Sequence, residues 1–150
     1  MSVAATSAGP ALPPAQAWRQ LLDMASAPYR AAGRFAWHFA RGKLSMDPVF
    51  RHLVEAGHIR PGARVLDIGC GQGLLASLLA STAALDGQGR WPAAWPPAPA
   101  PARVTGIELM PRDVERARAA LATLGAQAAF VCGDMRSTAF PAADAVVILD

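Results

Sequence analysis

The chain has 150 residues, of which 53% are hydrophobic, and this fraction is high enough for a packed core rather than a disordered chain. The formal net charge is only +3, and the sequence has no dense basic run with interleaved aromatic residues, which argues against a nucleic-acid partner. Its two cysteines lie far apart without other ligands at zinc-site spacing, so we expect no metal and no disulfide, as in a cytoplasmic protein. No stretch of about 18 apolar residues is present, so we expect no membrane span.

The first sixty residues are predicted to be mainly helical after a short tail. Residues 1–14 have no basic side chain and no long apolar core, so we interpret them as a disordered tail and not as a signal peptide. Residues 15–60 then form a helical segment. Its first helix has apolar side chains at positions i, i+3, i+4 and i+7, namely Trp18, Leu21, Leu22 and Ala25. Its last helix begins with Asp47 as the N-cap and ends near Gly57.

The middle helix of this segment is predicted from Tyr29 to Arg41, with Gly42 as its stop. One stripe of this helix is basic and consists of Arg30, Arg34, His38 and Arg41. Aromatic residues between positions 35 and 39 accompany this stripe. Ordinary helix packing with solvated arginines explains this pattern.

From residue 61 onwards, short apolar strands alternate with helices. Strands are predicted at residues 64–68, 103–107, 128–132 and 145–149, and helices at residues 74–84 and 111–124. Residues 86–102 contain five prolines and are predicted to be an irregular insertion. This alternation indicates an α/β fold, a Rossmann-like parallel sheet with right-handed crossovers. The fourth strand is apolar throughout, which predicts that both of its faces are covered.

A glycine-rich turn follows the first strand. Asp67 lies at the end of this strand, and Gly69, Gly71 and Gly73 follow at alternate positions before the next helix. Glycines let the backbone turn sharply and approach a ligand, and the helix N-terminus favours a carboxylate. A dinucleotide-binding turn is the alternative, because a G-x-G-x-x-A pattern runs from Gly71 to Ala76. That pattern begins late after the strand and leaves Asp67 without a role, so we favour a ligand with a carboxylate and a cationic group.

Acidic residues also follow the other three strands. Glu108, which precedes Leu109, could accept hydrogen bonds from both hydroxyls of a ribose, although dinucleotide enzymes use an acid in the same way. Asp134 could accept a hydrogen bond from an adenine amino group, and Met135 could pack on the adenine ring. Asp150 would face the place where a substrate docks. Because ligands bind beyond the carboxyl ends of parallel strands, we expect these acids to line one edge of the sheet.

The motifs at the four strand ends resemble those of class I S-adenosylmethionine-dependent methyltransferases. They are VLDIGCGQG at residues 65–73, GIEL at 106–109, GDM at 133–135 and DAVVILD at 144–150, in the order of that family. The resemblance covers about residues 61–150 and implies S-adenosyl-L-methionine as the cofactor. It also implies that the glycine turn holds the methionine part of the cofactor, Glu108 its ribose and Asp134 its adenine. In similar methyltransferases, N-terminal helices often form a lid over the acceptor, so the resemblance offers a second interpretation of residues 15–60, as an aromatic and basic lid suited to a flat acidic or aromatic substrate.

The reaction that this resemblance implies is transfer of a methyl group to an O, N or C atom, and we expect a small-molecule acceptor. No general base can be named from the sequence, and the candidate for assisting the acceptor is Asp150 or a residue beyond it. The sheet of this family has seven strands, of which only four can be counted in this sequence, so we expect a partial cofactor-binding domain in a truncated chain. A fragment of an NAD-dependent oxidoreductase and a non-catalytic, cofactor-binding remnant remain alternative interpretations.

Overall fold

The computed structural model describes residues 9–149. Within these residues the chain forms α-helices and parallel strands in the predicted alternation. The helices are α1 (Pro14–Ser26), α2 (Arg34–Met46), α3 (Pro48–Glu55), α4 (Leu74–Gly87) and α5 (Pro111–Ala120), and 3-10 helices span Ala27–Ala32 and Ala122–Gln127. The strands are β1 (Arg64–Ile68), β2 (Arg103–Glu108), β3 (Ala128–Cys132) and β4 (Ala145–Ile148).

The four strands form one parallel sheet with the order β3-β2-β1-β4. The chain therefore runs outward from β1 through β2 to β3 and then returns to the other side of β1 as β4. This arrangement confirms the predicted α/β, Rossmann-like class. A crevice forms at the carboxyl end of β1, because the connections from β1 and into β4 leave the sheet in opposite directions.

The main core lies between one face of the sheet and the helices. Val65 and Val104 project from the strands into this core, where they meet side chains of α4. Residues 74–79 of α4 are all buried, and α4 also packs against α1. A helix that is enclosed on most sides must be apolar around most of its circumference, which explains why α4 has no polar stripe.

The opposite face of the sheet is only partly covered by the described residues. Leu66, Ile68 and Ile107 are buried there in a small cluster of their own. Val146 and Ile148 of β4 are 58% and 64% exposed, so the prediction that β4 is covered on both faces is wrong for the part of the chain that the structure describes. The apolar sequence of β4 reflects its pairing beside β1, with only its other side packed into the main core.

The helix predicted from Tyr29 to Arg41 differs from the observed one. Gly33 has φ +105 and separates the 3-10 helix from α2. The predicted stop at Gly42 is also wrong, because α2 continues to Met46. Leu44 is completely buried, so packing of the following turn outweighs the low helix propensity of glycine. The other helix boundaries differ from the predicted ones by a few residues.

The proline-rich insertion, residues 86–102, begins in the last turn of α4 and then has no regular secondary structure. Trp91 and Trp95 pack edge to face, with ring centroids 5.2 Å apart, and both contact the main core. Trp91 Nε1 donates a hydrogen bond to the carbonyl of Pro96 at 2.9 Å. Within the segment predicted as a tail, Leu12 donates its N–H to the carbonyl of Arg90; residues 1–8 lie outside the described residues.

Candidate functional site

The glycine turn between β1 and α4 depends on backbone conformations that other residues rarely adopt. Gly69, Gly71 and Gly73 have φ values of +74, +54 and +83. A Cβ on Gly73 would lie 3.1 Å from Leu121 and Phe130, so packing as well as conformation requires glycine there. A Cβ on Gly71 would meet no atom within 4 Å. The turn is therefore tightly packed beneath Gly73 and open to solvent or a ligand above Gly71.

Tyr29 fixes the middle of this turn from below. Its hydroxyl donates a hydrogen bond to the carbonyl of Gln72 at 2.8 Å, and its side chain is completely buried. Burial raises the pKa of Tyr29 well above its usual range, so the hydroxyl remains protonated and can donate. Sequence patterns gave no signal for this contact, because Tyr29 fitted the apolar face of a helix and lies 43 residues from Gln72.

Glu108 links the end of β2 to the same turn. Its Oε2 atom accepts a hydrogen bond from the N–H of Gly71 at 2.8 Å. Its Oε1 atom accepts a second hydrogen bond from the N–H of Met110 at 3.0 Å. The carboxylate is thus held in one orientation, and each oxygen retains a lone pair for a further donor.

Asp67 is the buried acid of the site. Its side chain is 2% exposed, and burial, followed by the negative charge of Glu108, raises its pKa to about 7. A carboxyl group with this environment is half protonated near neutral pH. Two acids at one strand edge therefore create a place where a cationic group would be stabilised and would favour the ionised form of Asp67.

Cys70 fills the space beneath the turn. A Cβ on Gly106 would lie 2.6 Å from the Sγ atom of Cys70, so the glycine in β2 is what admits this side chain. Burial and the charges of Asp67 and Glu108 raise the pKa of the Cys70 thiol to about 12. Cys70 is therefore a packing residue and not a reactive thiolate.

Two neighbouring cavities lie along the carboxyl edge of the sheet. The larger, of about 350 Å³, spans the ends of all four strands, and its lining includes Gly69, Glu108, Leu109, Asp134 and Met135. The smaller, of about 200 Å³, is lined by Asp67 and the glycine turn, including Gly69 and Gly71. Gly69 and Leu149 line both cavities, so together they form one cleft, which we call the strand-end cleft.

The structure thus brings most of the predicted site residues to one edge of the sheet. Gly73 is an exception, because it packs beneath the turn and does not line the cleft. Asp150 lies outside the described residues. Residues 9–149 contain no cluster of three or more His, Cys, Asp or Glu side chains that could hold a metal. In the same range, no helix has both the length and the apolar character needed to span a membrane.

Asp134 has a partner that the sequence did not indicate. Its carboxylate forms an ion pair with the guanidinium of Arg136 at 2.7 Å and accepts a hydrogen bond from the N–H of Arg136 at 2.9 Å. The side-chain and backbone hydrogen bonds from Arg136 lower the pKa of Asp134. An adenine amino group would therefore have to share this carboxylate with Arg136 or displace it.

The N-terminal helices supply one wall of the smaller cavity. Phe39 and Lys43 of α2 and Phe50 of α3 line it opposite the glycine turn. The ammonium of Lys43 is paired with Asp47 at 3.0 Å, and the same aspartate caps α3 by accepting from the N–H of Val49. The helical segment is therefore part of the site, although the sequence motifs lie entirely in residues 61–150.

One family model matches part of the chain. It is described as methionine biosynthesis protein MetW, and it matches residues 50–94, which include β1, the glycine turn and α4. No curated protein sequence matches the chain.

Many solved structures share the fold, since 127 chains match. Protein arginine methyltransferase 10 of Arabidopsis thaliana is 21% identical, with a TM-score of 0.50, over 69% of this chain and 26% of that protein. YcgJ of Bacillus subtilis is 23% identical, with a TM-score of 0.45, over 62% of this chain and 33% of that protein. Coclaurine N-methyltransferase, solved with N-methylheliamine and SAH, is 17% identical, with a TM-score of 0.45, over 73% and 26% of the two chains. This chain therefore spans no more than a third of these three structures.

Proposed function

We propose that this chain, which has the fold of the class I methyltransferases, binds S-adenosyl-L-methionine in the strand-end cleft for methyl transfer to a small molecule. The observation that carries this proposal is the convergence of Asp67, the glycine turn and Glu108 on one cleft at the carboxyl edge of a parallel sheet. Ligands of open parallel sheets bind at this edge. The acceptor class is part of the proposal, because neither of the two cavities identifies it.

The methionine part of the cofactor fits the smaller cavity. The first turn of α4 has no acidic residue and no side-chain cap, so its N–H groups are free to attract a carboxylate. Asp67 offers a negative charge for an ammonium group. The Oε1 atom of Gln72 is buried and accepts no hydrogen bond from the described residues. A hydrogen-bond donor on the ligand would remove the cost of burying this oxygen without a partner.

The adenosine part fits the larger cavity. Glu108 is oriented by two backbone donors and has lone pairs left for ribose hydroxyls. Leu109 and Met135, which line this cavity, are 61% and 53% exposed and would lose that exposure against an adenine ring. Asp134 is the acceptor for the adenine amino group in this arrangement, in exchange with Arg136.

The cofactor, when bound, supplies a methyl group on a positively charged sulfur. The residues of this chain would hold the two ends of the cofactor apart, align the methyl group with the acceptor and exclude water from the cleft. Asp150 remains the proposed group for assisting the acceptor.

The test is a calorimetric titration of the whole chain with S-adenosylhomocysteine and, separately, with NAD. We expect binding of S-adenosylhomocysteine alone. Gly71→Val should abolish that binding, because a branched side chain would occupy the open space above the turn and strain a backbone with φ +54. Gly87→Ala is the matched control, because a Cβ on Gly87 meets nothing within 4 Å and Gly87 lies at the end of α4 that is farthest from the glycine turn. Binding of NAD alone would refute the proposal and favour an oxidoreductase.

A further inference from the structure

A third cavity lies on the N-terminal helical segment, outside the strand-end cleft. It has a volume of about 340 Å³ and is lined by Arg30, Gly33, Arg34, Trp37 and His38. The predicted basic stripe of this segment therefore borders a concave surface and not merely a solvated helix face. We call this cavity the basic cavity.

Two arginines, a tryptophan and a histidine line the basic cavity, and no acidic side chain does. The guanidinium of Arg30 lies 4.8 Å from the centroid of the Trp37 ring. Neither Arg30 nor Arg34 forms an ion pair with a described residue, whereas Arg41, whose guanidinium lies 6.0 Å from the centroid of the same ring, is paired with Asp23. Two arginines without an ion-pair partner, next to an aromatic ring, are suited to bind an anionic group such as a carboxylate or a phosphate.

The indole of Trp37 adds an independent observation. Its Nε1 atom is buried and donates no hydrogen bond to any described residue. A buried N–H without an acceptor costs roughly 1–3 kcal/mol. Trp37 lines the basic cavity, so an acceptor on a ligand bound there would remove this cost once the neighbouring side chains move enough to expose the N–H.

Helix α2 connects the basic cavity to the strand-end cleft. One face of the helix is buried, through Ala36, Ala40 and Leu44. Another face exposes large apolar side chains, since Phe35, Phe39 and Met46 are 84%, 46% and 83% exposed. Phe39 and Lys43 on this side also line the cavity at the glycine turn. At 1.5 Å per residue, Arg34 and Lys43 lie roughly 13 Å apart along the helix axis.

We propose that the methyl acceptor is an amphiphilic acid whose carboxylate or phosphate binds in the basic cavity, an assignment that rests on the proposed function. Its anionic group accepts hydrogen bonds from Arg30, Arg34 and the indole of Trp37. Its apolar or aromatic body lies along Phe35 and Phe39 and reaches the glycine turn. The spacing along α2 requires an acceptor whose methylated atom lies on the order of 10 Å from its acid group.

The test compares 6-phenylhexanoate with 6-phenylhexan-1-ol, its neutral counterpart, as ligands of the whole chain with and without S-adenosylhomocysteine. We expect the carboxylate to bind at least tenfold more tightly. In proton–nitrogen NMR spectra, the indole N–H signal of Trp37, assigned with Trp37→Phe, should shift downfield with the carboxylate only. The double variant Arg30→Gln, Arg34→Gln should weaken carboxylate binding at least tenfold. Arg19→Gln, on the exposed side of α1, is the matched control and should change nothing.

Equal affinity for the acid and the alcohol, or an unchanged Trp37 signal, would overturn the inference. Binding only to vesicles that contain phosphatidylglycerol would also overturn it and would make α2 a membrane-surface helix. S-adenosylhomocysteine binding without carboxylate binding would overturn this inference alone. Carboxylate binding without S-adenosylhomocysteine binding would overturn the assignment to a methyl acceptor together with the proposed function.

Discussion

Replacement of Glu108 tests the adenosine half of the cleft most directly. Glu108→Ala removes the acceptor for the N–H groups of Gly71 and Met110 and both proposed hydrogen bonds to the ribose. Hydrogen bonds to a charged group contribute about 1.5–3 kcal/mol each, but water replaces part of that contribution at a half-exposed site. We therefore expect S-adenosylhomocysteine to bind 10- to 100-fold more weakly, which corresponds to about 1.4–2.8 kcal/mol.

Titration calorimetry measures this dissociation constant, and urea unfolding of the same sample separates lost affinity from lost stability. Glu115→Ala is the control, because Glu115 is an exposed acid of α5 that lines none of the cavities. It removes the same charge without touching the cleft and should leave the dissociation constant unchanged. A folded Glu108→Ala variant with unaltered affinity would refute the placement of the ribose.

Two further predictions concern buried residues at the cleft. The pKa of Asp67 is raised from 3.8 to about 7, so the folded chain binds more protons than the unfolded chain between these values and its stability falls as pH rises from about 4 to 7. Urea unfolding at pH 5 and pH 8 should show this fall in the parent chain and a smaller one in Asp67→Asn; equal falls would contradict the assignment. Tyr29→Phe removes the hydrogen bond to the carbonyl of Gln72, and we expect a loss of about 1 kcal/mol in the free energy of unfolding and a few-fold weaker binding of S-adenosylhomocysteine. Unchanged affinity at the expected stability would mean that the turn keeps its shape without Tyr29.

The sheet could be predicted from the sequence because its signals are local. Each strand is a short apolar run, and each run ends in a glycine or an acid, so both the strand positions and the edge that carries the acids follow from pattern alone. The positions of Asp67, Glu108 and Asp134 at one edge needed no knowledge of side-chain contacts. The roles proposed for these residues remain predictions, since placement at an edge does not identify a ligand.

Contacts between distant residues could not be predicted in the same way. The hydrogen bond from Tyr29 to Gln72 and the wall formed by Phe39 and Lys43 depend on how the N-terminal helices pack against the glycine turn. The continuation of α2 through Gly42 has the same origin, because tertiary burial of the next turn outweighs local propensity. The pairing of Asp134 with Arg136 is a local exception, since it depends on a turn whose side chains could equally have faced solvent.

The charge pattern of the cleft predicts whether ligand binding releases protons or takes them up. Asp67 is partly protonated near neutral pH, because it is buried and faces the charge of Glu108. A ligand that places an ammonium group beside Asp67 favours its ionised form, so binding at pH 6 should release between about half a proton and one proton. At pH 8 the release should nearly vanish, because Asp67 is then already ionised.

Calorimetric titrations with S-adenosylhomocysteine in buffers of different ionisation enthalpy measure this proton count. Asp67→Asn is the matched variant and should bind with no release at pH 6. A dinucleotide would give the opposite sign, because its pyrophosphate would add negative charge beside the two acids and raise the pKa of Asp67. The resulting proton uptake would appear at pH 8, where Asp67 is ionised in the free chain, and hardly at all at pH 6, where Asp67 is already mostly protonated. Proton uptake by the parent chain, or the same release in Asp67→Asn, would therefore show that the acids of this cleft do not face a cationic amino acid.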